Sequence, residues 1–203
     1  MVVASEETIY TQETFRTLLD CMAHPGTVAQ IEPALLAVPT MTSPYVMGIA
    51  LMLLDQEVSF CMDGIEDEEA VRQIRIYTMA RNKNKSMCDY LFTEGSQLES
   101  LEGMKTGTLQ FPDLGATIIC KVNRLSNESM LSEKRRSIIR FQLTGPGIKQ
   151  ETILYVDELN SSAVAQWKEH NSEFPLGIDW IFVDESGHVC CVPRSSEWTW
   201  EVI

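Results

Sequence analysis

The sequence predicts an α/β protein, a mixed β-sheet covered by helices, and three observations predict it. Runs rich in β-branched and other apolar residues, at 114–122, 137–144 and 178–183, read as strands. Segments with apolar residues three and four apart, at 15–22 and 161–170, alternate with them and read as helices. Residues 178–183, the polar turn Asp184-Glu-Ser-Gly187 and residues 189–192 then form a closing hairpin apolar enough to be core. Asp179 interrupts the first hairpin run and Pro193-Arg194 ends the second, so two charged groups stand at the rims of a buried element.

The elements follow in order. Phe15, Leu18, Leu19 and Met22 make the stripe of a first helix, capped by Thr11 or Thr14 and stopped by Pro25-Gly26. Ser43-Pro44 supplies the cap and first position of a second helix through Leu54, apolar nearly all round and therefore buried. Residues 57–62 alternate as a strand. The acidic run 66–69 suits a helix start, where the macrodipole favours negative charge, and that helix runs through Ile74 toward Thr78. A basic group follows, Arg81, Lys83 and Lys85, then a short strand at 90–93 and a short helix at 97–104. The polar stretch 127–136 reads as an exposed loop between the strands 114–122 and 137–144, the latter ending in Gly145-Pro-Gly147. Asn160 caps the helix 161–170. With no internal repeat and no linker composition, residues 1–203 are expected to form one domain.

Composition bounds the function. The formal net charge of −13 sets a field that repels nucleic acid and anionic membranes, so neither is an expected partner. The longest apolar run, 46–54, falls short of the ~20 residues that cross a bilayer. The N-terminus is acidic where a secretory signal is basic, and the six cysteines show no Cys-x-x-Cys spacing, so they read as small buried thiols of a reducing cytosol. A cytoplasmic protein without a zinc site is the expectation.

Catalytic patterns are sparse. There is no phosphate-binding Gly-x-x-x-x-Gly-Lys loop, no Gly-x-Ser-x-Gly elbow and no His-Glu-x-x-His, and His24, His170 and His188 fall at element ends, where solvated or capping roles suffice. The loop Gly103-Met-Lys105-Thr-Gly107 is either an anion cradle or, preferably, a turn. Gly145 and Gly147 need only a tight reversal. Arg16, one position off the first helical stripe, reads as an interface or ion-pair residue. Asp179 either caps amides and pairs with Arg194 across the hairpin, the preferred reading, or is an acid positioned at a sheet edge. Arg81, Lys83 and Lys85 form a solvated face, or a docking point for an acidic partner or a phosphate.

Phe15-Arg16-x-Leu-Leu-x-x-Met22-x-x-Pro25-Gly26, Thr106-Gly107-Thr108, Gly115-Ala116-Thr117, Leu143-Thr144-Gly145-x-Gly147-Ile148, Phe174-Pro-Leu-Gly-Ile-Asp179 and Pro193-Arg194 together resemble the PhnH family, a component of the bacterial carbon-phosphorus lyase core complex. The anchors keep the family's order over nearly the whole chain. The resemblance implies a fold like the large domain of pyridoxal-phosphate-dependent transferases without the cofactor. It also implies a role in phosphonate catabolism, a homodimer, and docking onto core components of the G, I and J types. The complex transfers an alkylphosphonate to the ribose C1 of a nucleoside triphosphate, and this component is expected to be non-catalytic or accessory. Arg16, Gly107, Gly145, Asp179 and Arg194 are carried over as family anchors with ligand or interface roles, none as catalytic. A free-standing nucleotide or phosphonate binding module, or a pyridoxal-phosphate-type enzyme with a Schiff-base lysine, is the alternative. The chain departs from the family in a charged insertion around Lys134-Arg135-Arg136 and in a tail whose Trp198 and Trp200 suggest a docking surface of its own.

Overall fold

The computed structural model describes residues 6–34, 42–65, 67–130 and 137–203. The charged insertion at 134–136 lies outside the described residues. Along the chain run α1 (Glu6–Ala23), β1 (Ala29–Gln30), α2 (Pro44–Leu53), β2 (Ser59–Asp63), α3 (Glu68–Thr78), β3 (Arg81–Asn82) and β4 (Tyr90–Glu94). A 3₁₀ turn (Pro112–Leu114) precedes β5 (Thr117–Lys121), β6 (Arg124–Ser126), β7 (Ile138–Thr144), β8 (Thr152–Asp157), α4 (Ser161–His170), β9 (Asp179–Val183), β10 (His188–Val192) and β11 (Glu197–Val202).

Two sheets form. The first has seven strands in the order β1-β10-β9-β5-β4-β2-β3 and is mixed, parallel from β9 to β3 and antiparallel at β10 and β1. The second is antiparallel, β11-β7-β8-β6. The central strands are apolar on both faces, as strands covered on both sides must be. In β9, Trp180 and Phe182 point into one core cluster while Ile181 and Val183 point into the other. β10 divides in the same way, with Cys190 and Val192 against Val189 and Cys191. The Ile181 side receives α1, α2 and α3 through Leu18, Met47, Ile49 and Ile74. The Trp180 side receives the second sheet and α4 through Phe141, Leu154, Val156 and Trp167. Helices alone therefore cover one face only, because the antiparallel strands supply enough apolar surface to take most of the other.

Four expectations change. Thr11 and Thr14 do not cap α1, which begins at Glu6; no breaker in the preceding turns stops the helix from propagating, and Thr14 is buried within it. The stripe is rotated too: Thr14, Leu18 and Cys21 face the sheet, while Phe15 and Leu19 are 50% and 58% exposed. Residues 97–104 are not a helix. Leu98 and Leu101 are buried from a loop whose amides bond to the carbonyl of Glu94 and to Oε1 of Gln166. The tail is a strand, not a free docking surface: β11 pairs with β7 in the register Trp198↔Leu143, which buries Trp198, and leaves Trp200 half-buried opposite Phe141.

The six cysteines are all free thiols, and only Cys61 is not buried. No helix among the described residues is long and apolar enough to cross a membrane.

Candidate functional site

In open α/β sheets the ligand crevice lies beyond the carboxyl ends of the parallel strands. Here that rim is filled. Lys121 at the end of β5 reaches Glu94 at 3.1 Å and Glu185 at 3.8 Å, and Gly95 N–H bonds back to the Lys121 carbonyl. About 30 Å³ remains between Glu94, Lys121, Asn123 and Glu158, far below the several hundred that a nucleotide-sized ligand requires. Behind it Asp184, nearly inaccessible, accepts from the amides of Leu125, Ser186 and His188, with His188 Nδ1 at 2.9 Å. His188 thus serves a carboxylate that holds the hairpin turn.

The opposite rim gathers most of the residues singled out from sequence. β9 begins at Asp179, beside Thr117 of β5. Its carboxylate accepts from the Arg194 amide at 2.7 Å and from Nε at 3.1 Å, and it pairs with Nη2. The same guanidinium donates from Nη1 to the Pro112 carbonyl at 2.6 Å. Arg194 therefore ties the end of β10 to the start of β9 and to the 3₁₀ turn before β5, with its guanidinium contacts charge-assisted.

Glycines make room for that arginine. A Cβ on Gly115 would sit 2.3 Å from Nη1 of Arg194 and 2.5 Å from the Gly177 carbonyl. Gly107 closes the loop from the other side at φ +80°, where a Cβ would meet the Pro112 carbonyl at 2.6 Å. Thr106 bridges Gly115 and accepts from the Gly177 amide. Gly107→Ala is thus expected to cost roughly 1–3 kcal/mol through the left-handed backbone and the clash together. Chemical denaturation checks this, and a Gly107→Ala chain as stable as the parent removes the tight-approach argument.

Next to this knot, Asp89 accepts from the amide and hydroxyl of Ser59, at 2.8 and 2.5 Å, and pairs with Lys105. Burial pushes the Asp89 carboxyl up, but the hydrogen bonds from Lys105 and Ser59 outweigh it and hold the group below its ordinary range. Lys105 is thereby committed to Asp89 and is not the cation of an anion cradle. Lys85 is similarly engaged with Asp63 at 2.6 Å.

Gly107, Asp179 and Arg194 therefore meet in one place. Gly145 lies nearby in the chain sense: its Cβ would come within 3.4 Å of the backbone at Ser195 and Glu197, the segment that leaves Arg194. Arg16 stands apart on the exposed face of α1, with no ion pair among the described residues. Sequence reasoning assigns no role to Pro112 or Asn171; Asn171 bonds both the amide and the carbonyl of Ile178 and so fixes the entry to β9. The Pro-Leu-Gly before the apolar run is a signal that points to Gly177, whereas Asn171 gives none.

The described residues hold no group of three or more His, Cys, Asp or Glu placed to bind a metal ion. Chemically the rim is a self-neutralised ion-pair network, suited to fixing backbone and presenting a defined surface.

Known proteins match the chain over nearly its whole length. The family model described as "Bacterial phosphonate metabolism protein (PhnH)" matches residues 4–199. A protein of Stutzerimonas stutzeri named "Putative C-P lyase subunit protein HtxG" is 30% identical over 191 residues, covering 91% of this chain and 84% of that protein. The "Alpha-D-ribose 1-methylphosphonate 5-triphosphate synthase subunit PhnH" of Rhizobium meliloti (strain 1021) is 25% identical over 189 residues, covering 92% and 88%.

Proposed function

The chain belongs to the PhnH family of bacterial phosphonate metabolism proteins, and on that premise we propose that it is an accessory subunit of a carbon-phosphorus lyase core complex. In this reading it acts with partner components of the G, I and J types when an alkylphosphonate is transferred to the ribose C1 of a nucleoside triphosphate. It works in the cytoplasm as a homodimer and turns over nothing alone. Its single domain is related to the large domain of pyridoxal-phosphate-dependent transferases and holds no cofactor.

The observation that carries the reading is the family match over residues 4–199, together with two relatives that both bear the word subunit in their names. The geometry supports it in a second way. Lys85, Lys105 and Lys121 are each engaged with a carboxylate, as are Asp179 and Arg194 with each other, so the sheet rims offer structure in place of a poised nucleophile and base. Phe15, Arg16 and Leu19, exposed together on α1, are the surface assigned to partner contact.

The test is reconstitution. The partner components, with methylphosphonate and ATP, are assayed for ribose 1-methylphosphonate 5-triphosphate with and without this chain, and with Phe15→Glu/Leu19→Glu. Activity is expected only with the parent chain, while the variant melts like the parent and fails to co-purify. Full activity without the chain, or turnover by the chain alone, defeats the proposal.

A further inference from the structure

Among the described residues β3 is the outer strand of the seven-stranded sheet and pairs on one side only, with β2. The Arg81 amide donates to Val58 and the Lys83 amide to Phe60, so the N–H and C=O of Asn82 between them turn to the open side. A groove of about 710 Å³ runs along this edge, lined by Arg72, Arg75, Ile76, Met79 and Arg81 among others.

Two features of the groove are unexplained by the fold. The first is charge. In a chain with 29 acidic and 16 basic residues, Arg75 and Arg81 have no carboxylate partner among the described residues; Arg72 pairs with Glu69, and Arg81 reaches only the Glu57 carbonyl at 3.2 Å. The second is Met79, the C-cap of α3, which adopts φ 61° where glycine or asparagine would be unstrained, yet is 70% exposed. Ile76 beside it is 54% exposed. A strained, solvent-facing methionine beside unpaired arginines and an open strand edge is poorly matched to water and well matched to a polypeptide.

We propose that this edge is a docking site for an acidic, extended segment of another protein, which adds as a strand to β3, sets its carboxylates on Arg75 and Arg81 and packs apolar side chains on Ile76 and Met79. Strand addition uses main-chain bonds for affinity and side chains of one face for selection. The positive groove in a strongly negative chain selects against a second copy's acidic surface only weakly, so self-association is an outcome the test must read. A free phosphate would use the arginines but neither the strand edge nor the apolar residues.

The inference stands apart from the assembly reading, which the following probe does not test. A fluorescein-labelled peptide of alternating glutamate and valine is titrated into the full chain, followed by anisotropy, beside the same peptide N-methylated on the residues that would face β3. Sedimentation of the chain is measured in parallel. The expected result is saturable binding, weakened about tenfold or more by Arg75→Glu or Arg81→Glu and abolished by N-methylation. Met79→Gly is expected to weaken binding while its melting temperature stays level or rises. No binding, binding indifferent to N-methylation or to the arginine reversals, displacement by inorganic phosphate, or a dimer that Arg81→Glu dissociates would each overturn the proposal.

Discussion

Trp167→Ala is expected to be the most destabilising single change in the molecule, by about 3–5 kcal/mol, out of a total that for such domains is about 5–15 kcal/mol. The side chain is wholly buried on α4 and joins the two sheets. Its ring stacks on Trp180 of the first sheet at 4.6 Å and lies 4.3 Å from Trp198 and 5.8 Å from Phe141 in the second. Alanine would therefore open a void at the point where the layers meet, with partners on both sides too well packed to collapse into it. At about 2–4 °C per kcal/mol for a chain of this size, the melting temperature should fall by about 10 °C. Trp167→Phe should cost much less. It keeps most of the ring, and it removes an indole N–H that is buried without an acceptor among the described residues. Urea denaturation of the parent and both variants is the measurement; a phenylalanine variant as damaged as the alanine one would show that the indole is bonded after all.

Arg194→Met should lose about 3 kcal/mol, because it strands a largely shielded Asp179 carboxylate and releases the Pro112 carbonyl at once. The pair is 13% and 21% exposed, so solvent screening is modest. The companion Asp179→Asn strands the guanidinium instead and should cost somewhat less, since Arg194 retains the Pro112 carbonyl. Combining them should be less harmful than the sum by about 1 kcal/mol or more, the mark of a direct interaction in a double-mutant cycle. Strict additivity would mean that each residue acts alone. Because the pair pins the loop carrying Gly107 and Gly115, the same variants should loosen that rim before the rest of the fold, visible as faster amide exchange at Ala116 and Gly177.

How far the sequence revealed this fold depends on whether a segment's own pattern decided its fate. The hairpin β9–β10 was legible because its apolar runs are unbroken and the turn residues admit one reversal. Asp179 and Arg194 were legible as a pair for the same reason, one at each end of that hairpin. α3 was legible from the acidic run at its start, where Asp67 accepts from Ala70, and α4 from its cap Asn160, which accepts from Ser162. By contrast, the stripe of α1 was misphased because apolar residues lie both on its buried face and one step around from it; only the sheet determines which face is used, and it chose the one bearing Thr14. β1 and β3 are too short to show a period. The spacing of Leu98, Leu101 and Met104 imitates a helix, but it arises from a loop laid over the core. β11 alternates Trp198 and Trp200 with Glu197, Thr199 and Glu201, a strand signature obscured by its place beyond the apparent end of the fold. That Gly107 joins Asp179 and Arg194 was not legible, since residues so far apart in sequence meet through tertiary structure alone.

The pairing of β1 with β10, Ala29 against Val189, has a consequence for how the protein is made. α1 and β1 are synthesised long before β10, the strand they rest on. The nascent chain must therefore wait, its helices lacking their floor, and such long-range closure is slow to find. Chaperone dependence during translation should accordingly be greater than for a domain of equal size whose neighbours in space are neighbours in sequence.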